Sequence, residues 1–244
     1  MNLERFGLMI RNSENAAYNY HKQMVGSGSA WSTSDGQQML WDAERTPVTM
    51  IAYAPFMSEA TPDASLTVNA LTNQSTEENV KSSDFLLMKA TVDPEQDLTA
   101  DGKLKISLNH AMSKLIIKIT VNGTTDASMS KLGDMAINGA VVNATCDLSA
   151  AAPVVVPAAD AVVATVAPYK GTESCECILP PQKIAEGFSV NFSYDGKLYI
   201  WTAKEPIELE KGVEHTLTLN VNTTVRLAAK IARNWATGQL IDRN

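Results

Sequence analysis

One short motif, Ser128-Met-Ser-Lys131, has the Ser-x-x-Lys spacing that pairs a nucleophilic serine with a lysine in some hydrolases. The Ser-Asp-Asn and Lys-Thr-Gly motifs that accompany it in those enzymes do not occur in the sequence. Gly26-Ser-Gly-Ser29 fits neither a nucleophile elbow nor a phosphate-binding loop. Both segments lie between β-like runs, so both are predicted to be loops without a chemical role.

The three cysteines form neither a disulfide framework nor a zinc-binding pattern. Cys175 and Cys177 lie two residues apart on a predicted strand, which places them on one face about 7 Å apart, a poor spacing for a mutual disulfide. Cys146 could pair with either one in an exported protein, which would leave one thiol free.

The histidines and carboxylates do not converge in the sequence. His21, His110 and His215 are isolated, each within a β-like run, and His110 is predicted to be a structural residue at a strand kink rather than a general base. Glu77-Glu78 and Asp93-Pro-Glu95 fall in polar loops whose oxygen ligands are too sparse for calcium. We therefore assign no catalytic, metal-binding or cofactor-binding residue, and the sequence predicts a non-enzymatic protein with no cofactor.

The tryptophans could instead form a platform for sugar rings, because exposed aromatic faces stack on glycans. Each lies in or beside a predicted strand, however, and large apolar side chains are usually buried. Most are expected in the core, and the one nearest the C-terminus is expected to cover a groove or a domain edge. They are Trp31, Trp41, Trp201 and Trp235.

The composition limits the class of protein. The 244 residues, 45% of them hydrophobic, can form one large core or two smaller ones. A net charge of −7 with scattered basic residues excludes nucleic acid as a partner. The most apolar stretch, residues 150–167, is interrupted by Pro153, Pro157 and Asp160, so no membrane span is expected. The first ten residues lack the pattern of a signal peptide, so none is expected there.

Short β-like runs separated by turn residues recur along the chain, which predicts an all-β fold of antiparallel sandwiches. They include residues 6–10, 37–41, 48–54 and 215–221. Asp195-Gly196 is the preferred dipeptide for a two-residue type I′ hairpin turn. The resulting register pairs Tyr194 with Lys197, and it places on one buried face the pairs Phe192 with Tyr199 and Val190 with Trp201.

The apolar pattern changes phase between Asn109 and Lys114. Leu104, Ile106 and Leu108 occupy even positions, whereas the next run occupies odd positions at Leu115, Ile117, Ile119 and Val121. Because a strand alternates faces with period two, one regular strand cannot bury both sets in one core. Either a β-bulge interrupts a long strand, or the chain passes from one core to another.

These elements, in this order, resemble the fimbrillin family of the Bacteroidales. The resemblance covers nearly the whole chain and rests on six segments. They are Trp41 with Val48-Thr-Met-Ile-Ala-Tyr-Ala-Pro55, Asp84-Phe-Leu-Leu-Met-Lys-Ala90, Leu108-Asn-His-Ala-Met-Ser-Lys-Leu115, Leu179-Pro-Pro-Gln182, Leu209-Glu-Lys-Gly-Val-Glu-His-Thr-Leu-Thr-Leu219 and Ile231-Ala-Arg-Asn-Trp235.

The resemblance implies two tandem transthyretin-like antiparallel β-sandwich domains, residues 1–110 and 111–244, joined near His110. It also implies export as a lipoprotein precursor, but the sequence contains no lipobox, so contact with the outer membrane is expected only through a lipid anchor outside these residues. In polymerising members an Arg-specific protease removes an N-terminal strand, and the groove accepts a strand from the next subunit. Arg5 and Arg11 flank the first predicted strand and are the candidate processing sites.

The expected function is therefore a cell-surface fimbrial subunit, anchor or tip protein in adhesion, with other fimbrial subunits as partners. The alternative is a monomeric surface module that binds a host protein or a glycan and does not polymerise. The chain ends discriminate between the two, because a polymerising subunit needs a terminal strand that can be removed or donated.

Overall fold

The computed structural model describes residues 3–27, 30–123, 125–221, 227–233 and 239–241. The first half contains β1 (Arg5–Arg11), β2 (Tyr20–Ser27), β3 (Ala30–Thr33), β4 (Val48–Ala54), β5 (Ser65–Thr67), α1 (Glu77–Ser82), β6 (Leu86–Val92) and β7 (Ile106–His110). The second half contains β8 (Ser113–Val121), β9 (Thr125–Asp126), β10 (Leu132–Val141), β11 (Ala144–Asp147), β12 (Val155–Pro157), β13 (Val163–Val166), β14 (Tyr169–Lys170), β15 (Cys175–Leu179), β16 (Gln182–Ile184), β17 (Ser189–Tyr194), β18 (Lys197–Thr202), β19 (Ile207–Leu209), β20 (Glu214–Val221), β21 (Leu227–Arg233) and β22 (Gln239–Ile241). Two 3-10 turns lie at Ala16–Tyr18 and Met129–Lys131.

The strands form two large sheets and three smaller ones. A seven-stranded sheet has the order β22-β7-β6-β4-β1-β2-β3, and a six-stranded sheet has the order β14-β15-β8-β20-β21 with β9 beside β8. A four-stranded sheet has the order β13-β10-β17-β18, and the smallest sheets are β12-β11-β5 and β16-β19. The predicted all-β fold class is confirmed.

One strand pair departs from the antiparallel prediction. Strands β8 and β20 run parallel, from Lys114 opposite Glu214 to Val121 opposite Val221, whereas every other named pairing of described strands is antiparallel. About a hundred residues separate the two strands in sequence, so no hairpin turn dictates their direction. The buried face of β20 carries Leu217, Leu219 and Val221.

The predicted hairpin is confirmed in its turn and its register. Asp195 and Gly196 have φ values of 51° and 75°, as a type I′ turn requires. The three predicted cross-strand pairs are all present in β17 and β18. Val190 and Phe192 are buried, but Tyr199 and Trp201 are only half-buried, because β18 is an edge strand.

The change of apolar phase marks a change of sheet. Strand β7 belongs to the seven-stranded sheet and β8 to the six-stranded sheet, with Ala111 and Met112 between them. Leu108 packs in one apolar cluster and Leu115 in another. The chain therefore leaves one core and enters a second one here, as the second interpretation of the pattern predicted.

The two clusters lie on opposite faces of the seven-stranded sheet. We call the smaller one the outer cluster; its buried members are Phe6, Leu8, Met24, Val48, Met50, Ala52, Ala54, Leu86, Val92 and Leu108. The main cluster begins on the inner face, at residues such as Met9 and Tyr53, and continues between the sheets of the second half. Alternation along β1 and β4 thus supplies side chains to both clusters.

Strand pairing crosses the predicted domain boundary between residues 110 and 111 in two places. Strand β5 from the first half pairs with β11, and β22 from the C-terminal end pairs with β7. The division into domains of residues 1–110 and 111–244 remains a prediction.

Two local predictions need correction. Residues 37–41 do not form a strand; Met39 and Trp41 instead pack from a loop against the outer cluster. Glu77 and Glu78, predicted to lie in a polar loop, begin α1, and the Thr76 hydroxyl caps this helix by accepting from the Asn79 N–H at 3.2 Å.

Candidate assembly and binding sites

The first strand, between the two candidate processing arginines, lies in the interior of its sheet. Strand β1 pairs with β2 on one side and β4 on the other. Arg5 and Arg11 are both exposed at its ends, and the Arg11 guanidinium forms an ion pair with Asp63. Both arginine side chains are therefore accessible, while the strand between them is held by two ladders of hydrogen bonds.

The peptide that follows Arg11 is fixed by a buried asparagine. The Asn12 side-chain oxygen accepts from the backbone N–H groups of Glu14 and Asn15, each at 2.9 Å. Its Nδ2 donates to the Asp42 carboxylate at 2.8 Å, and this hydrogen bond helps lower the Asp42 pKa, after the larger effect of Thr46. A protease acting at Arg11 therefore needs this loop to open locally.

A tyrosine holds the inner face of β1 in place. The ring of Tyr53 lies over Gly7, where an added Cβ would come within 2.4 Å of the ring. The Tyr53 hydroxyl donates to the Met57 carbonyl at 2.8 Å and accepts from His21 Nε2 at 2.7 Å. Burial raises the pKa of Tyr53 to about 12 and lowers that of His21. His21 is thus a structural hydrogen-bond donor.

The last two described strands lie at sheet edges. Strand β21 pairs with β20 at one end of the six-stranded sheet, and β22 pairs with β7 at one end of the seven-stranded sheet. Within the described part of the chain, each has a strand on only one side. The C-terminal region thus supplies an edge strand to both large sheets.

Two of the segments that carried the family resemblance meet at the junction of the sheets. The backbone N–H of Gly212 donates to the Met112 carbonyl at 2.8 Å, and the Ser113 hydroxyl donates to the Glu210 carbonyl at 2.5 Å. Buried His215 accepts the Glu210 N–H at its Nε2, at 3.0 Å. Gly212 has a φ of 66°, which favours glycine at this turn.

His110 also has a structural partner. Its Nδ1 lies 2.6 Å from a carboxylate oxygen of Asp84, whose side chain is almost fully buried. Asp84 precedes β6 and His110 ends β7, so the contact ties the ends of adjacent strands together. The geometry agrees with the predicted structural role at the strand kink.

The candidate nucleophiles are not activated. Ser128 lies 2.8 Å from Ser130, while Lys131 faces Asp195 at 3.5 Å, so the Ser-x-x-Lys motif does not form a catalytic pair.

All three cysteines are free and buried, so the alternative disulfide of Cys146 is not formed. Burial raises the pKa of Cys146 and Cys175 to about 11 and also raises that of Cys177, which makes these thiols unreactive.

Two of the four tryptophans line a cavity. A space of about 680 Å³ lies over the outer cluster, with Trp31 and Trp41 in its wall and both side chains half-buried. Trp201 packs edge-on against Phe188, with ring centroids 6.2 Å apart. The prediction for Trp235 lies outside the described residues.

Sequence reasoning missed two polar residues that join distant segments. Buried Gln74 binds both backbone groups of Ile178. The Lys89 ammonium donates to the carbonyls of residues 148, 149 and 150, at 2.7, 3.3 and 2.9 Å. Neither residue type at these positions signals such a role, because the partners are 59 or more residues away.

Within the ranges that the structure describes, no group of three or more His, Cys, Asp or Glu side chains is placed to hold a metal ion. The helices found there are also too short and too polar to span a membrane.

The fold is that of an all-β protein, and the described polar side chains at these sites join its strands and loops. The family described as fimbrillin-like matches residues 3–235, and the chain belongs to this family. A comparison with curated protein sequences gives no match.

Solved structures show the same fold at low sequence identity. A candidate cell adhesion protein from Bacteroides uniformis has a TM-score of 0.70 and 16% identity, over 94% of this chain and 90% of that one. A second, from Bacteroides ovatus, has a TM-score of 0.71 and 15% identity, over 96% and 87%. The C-terminally truncated tip fimbrial protein Mfa3 of Porphyromonas gingivalis has a TM-score of 0.54 and 9% identity, over 96% and 94%.

Proposed function

We propose that this protein is a cell-surface fimbrial subunit that binds other fimbrial subunits by β-strand donation. Membership of the fimbrillin-like family is the observation that carries the proposal. The position of the terminal strands supports the mechanism: β21 and β22 are edge strands, so each can leave its sheet by breaking one ladder of hydrogen bonds.

Removal of β1 would leave a groove between β2 and β4 that can accept a strand. Cleavage after Arg11 would release Phe6, Leu8 and Met9 from the two clusters and would leave β2 and β4 without their shared neighbour. Backbone groups on both flanks would then lack partners, and an incoming strand would satisfy both flanks at once. A strand from the C-terminal end of another subunit is the donor in this proposal.

Limited trypsin digestion followed by size-exclusion chromatography and mass spectrometry tests the mechanism. The product cut at Arg11 is expected to form oligomers, and Arg11→Gln is expected to remain a monomer. Arg45→Gln is the matched control, since Arg45 is exposed and lies outside β1. An excess of a synthetic peptide of residues 222–244 should cap the groove and stop growth, whereas a scrambled peptide should not.

A cleaved product that stays monomeric and soluble would contradict strand donation. That result would favour a second candidate function, a monomeric surface module that binds a host protein or glycan. The pairing of β1 on both sides and of β21 and β22 within the chain's own sheets is the observation that supports this candidate.

A further inference from the structure

We propose that the cavity over the outer cluster binds a hydrocarbon chain, such as that of a fatty acid, while β1 is in place. Its volume of about 680 Å³ lies within the range of about 300–1,000 Å³ that is typical of small-molecule sites.

The floor of the cavity is apolar and made of buried side chains. Side chains from three adjacent strands form it: Phe6 and Leu8 from β1, Met24 from β2, and Val48 and Met50 from β4. All five are at most 7% exposed. The walls include residues 39–42, 98–99 and 101–106. A hydrocarbon chain placed here would exchange water for apolar contacts on several sides.

Several of the polar groups that line the cavity already have partners within the protein. The Asp42 carboxylate accepts from the Asn12 side chain and from the Thr46 N–H, at 2.8 Å each. The Thr99 hydroxyl lies 2.6 Å from Asp101. A glycan is recognised by polar groups aimed at its hydroxyls, so this arrangement favours an apolar ligand over a sugar.

The backbone under the cavity offers no pairing to a peptide. Strand β1 pairs with β2 and β4, β2 also pairs with β3, and β4 also pairs with β6. A peptide strand laid across this face would therefore leave its own N–H and C=O groups without backbone partners, whereas a hydrocarbon has none to satisfy.

The two tryptophans in the cavity wall allow ligand binding to be measured by fluorescence. Trp31 packs edge-on against Phe6 with ring centroids 4.8 Å apart, and Trp41 lines the same cavity. A brominated acyl chain in the cavity would contact these indoles and quench their fluorescence. Trp201 does not line the cavity.

The test is titration of the full chain with monomeric dibrominated stearic acid. We expect saturable quenching with one site per chain, reversed by ordinary stearic acid. Replacing Trp31 and Trp41 together by phenylalanine should remove most of the quenching, whereas Trp201→Phe should retain it. A parallel titration uses vesicles of dibrominated phosphatidylcholine. Quenching by these vesicles would identify a membrane lipid as the source of the bound acyl chain. Quenching by the free acid alone would identify a free fatty acid as the ligand.

A charge in the wall should weaken binding. Met39 is a half-buried residue that lines the cavity. Met39→Glu is expected to lower the affinity for stearic acid about tenfold or more, because the new carboxylate loses solvation when the acyl chain enters the cavity. Leu198→Glu is the matched control, on a side chain that is 85% exposed and distant from the cavity. If Met39→Glu does not fold by circular dichroism, Leu40→Glu serves instead, because Leu40 also lines the cavity and is exposed.

Three results would overturn the proposal: quenching that does not saturate, equal affinity in the wall and control variants, or displacement of the brominated chain by an oligosaccharide or by the 222–244 peptide. Each of these results is distinct from failure of subunit assembly, which is measured on the cleaved protein by size.

Discussion

The side-chain amide of Gln74 binds the backbone of Ile178 through both of its polar atoms. Gln74 Nε2 donates to the Ile178 carbonyl and Oε1 accepts the Ile178 N–H, each at 2.8 Å. Gln74 is fully buried and also donates to the Leu71 carbonyl at 2.9 Å. The Gln74 side chain therefore forms the two hydrogen bonds that a neighbouring strand would otherwise form with Ile178 of β15. These hydrogen bonds also hold the segment before α1 against the second half of the molecule.

Gln74→Ala is expected to lower the free energy of unfolding by about 1–3 kcal/mol for each buried group of Ile178 left without a partner. Urea denaturation measures the change. Gln96→Ala is the matched control, since Gln96 is exposed, and its unfolding midpoint should stay near that of the wild type. Equal midpoints for the two variants would contradict the role of Gln74.

Gly7→Ala is expected to destabilise the protein by about 1–3 kcal/mol or more, because the new Cβ would overlap the Tyr53 ring. Gly26→Ala is the control in the neighbouring strand, where an added Cβ would lie 3.4 Å from Trp31, an ordinary contact distance. Thermal unfolding of the two variants checks the prediction. A stable Gly7→Ala variant would show that Tyr53 does not hold β1.

In the hairpin of β17 and β18, an alanine substitution on the buried strand β17 should destabilise the protein more than one on the edge strand β18. Phe192→Ala is expected to cost about 3–5 kcal/mol, because Phe192 is buried and its ring stacks on Tyr199 at 5.4 Å. Trp201→Ala is expected to cost less, since Trp201 is half-buried. Denaturant titration gives both values, and the reverse order would contradict this account of the hairpin.

The stability of the protein should fall in mildly acidic solution through His21. Burial lowers its pKa below the ordinary value of 6.5, so the unfolded chain takes up the proton first. The contribution is complete above pH 6.5 and is lost as the pH falls from there through the folded-state pKa. The urea midpoint should therefore decrease between about pH 7.5 and about pH 5.5.

His21→Gln is the comparison for this effect, because glutamine can still donate to the Tyr53 hydroxyl but does not titrate. The decrease in midpoint over the same pH interval should be smaller in this variant. All other groups are the same in the two proteins, so the difference reports His21. An identical pH dependence would show that His21 makes no contribution.

Local sequence patterns determined the fold class and several elements of this fold. Asp195-Gly196 set a turn and a register that the structure reproduces, because a type I′ turn needs positive φ at both residues. The change of apolar phase between Leu108 and Leu115 located a break in the strand, because strand faces alternate strictly, and left open a β-bulge or the passage between cores that the structure shows. These signals depend only on residues close together in the chain.

The tertiary structure alone decided how the elements meet. The parallel pairing of β8 with β20, the contact of Gln74 with Ile178 and the closing of the cavity by residues 39–42, 98–99 and 101–106 all join segments far apart in sequence. Periodicity reports which face of a strand is buried but not which distant segment covers it. That choice depends on the packing of the whole chain, which no local pattern of residues encodes.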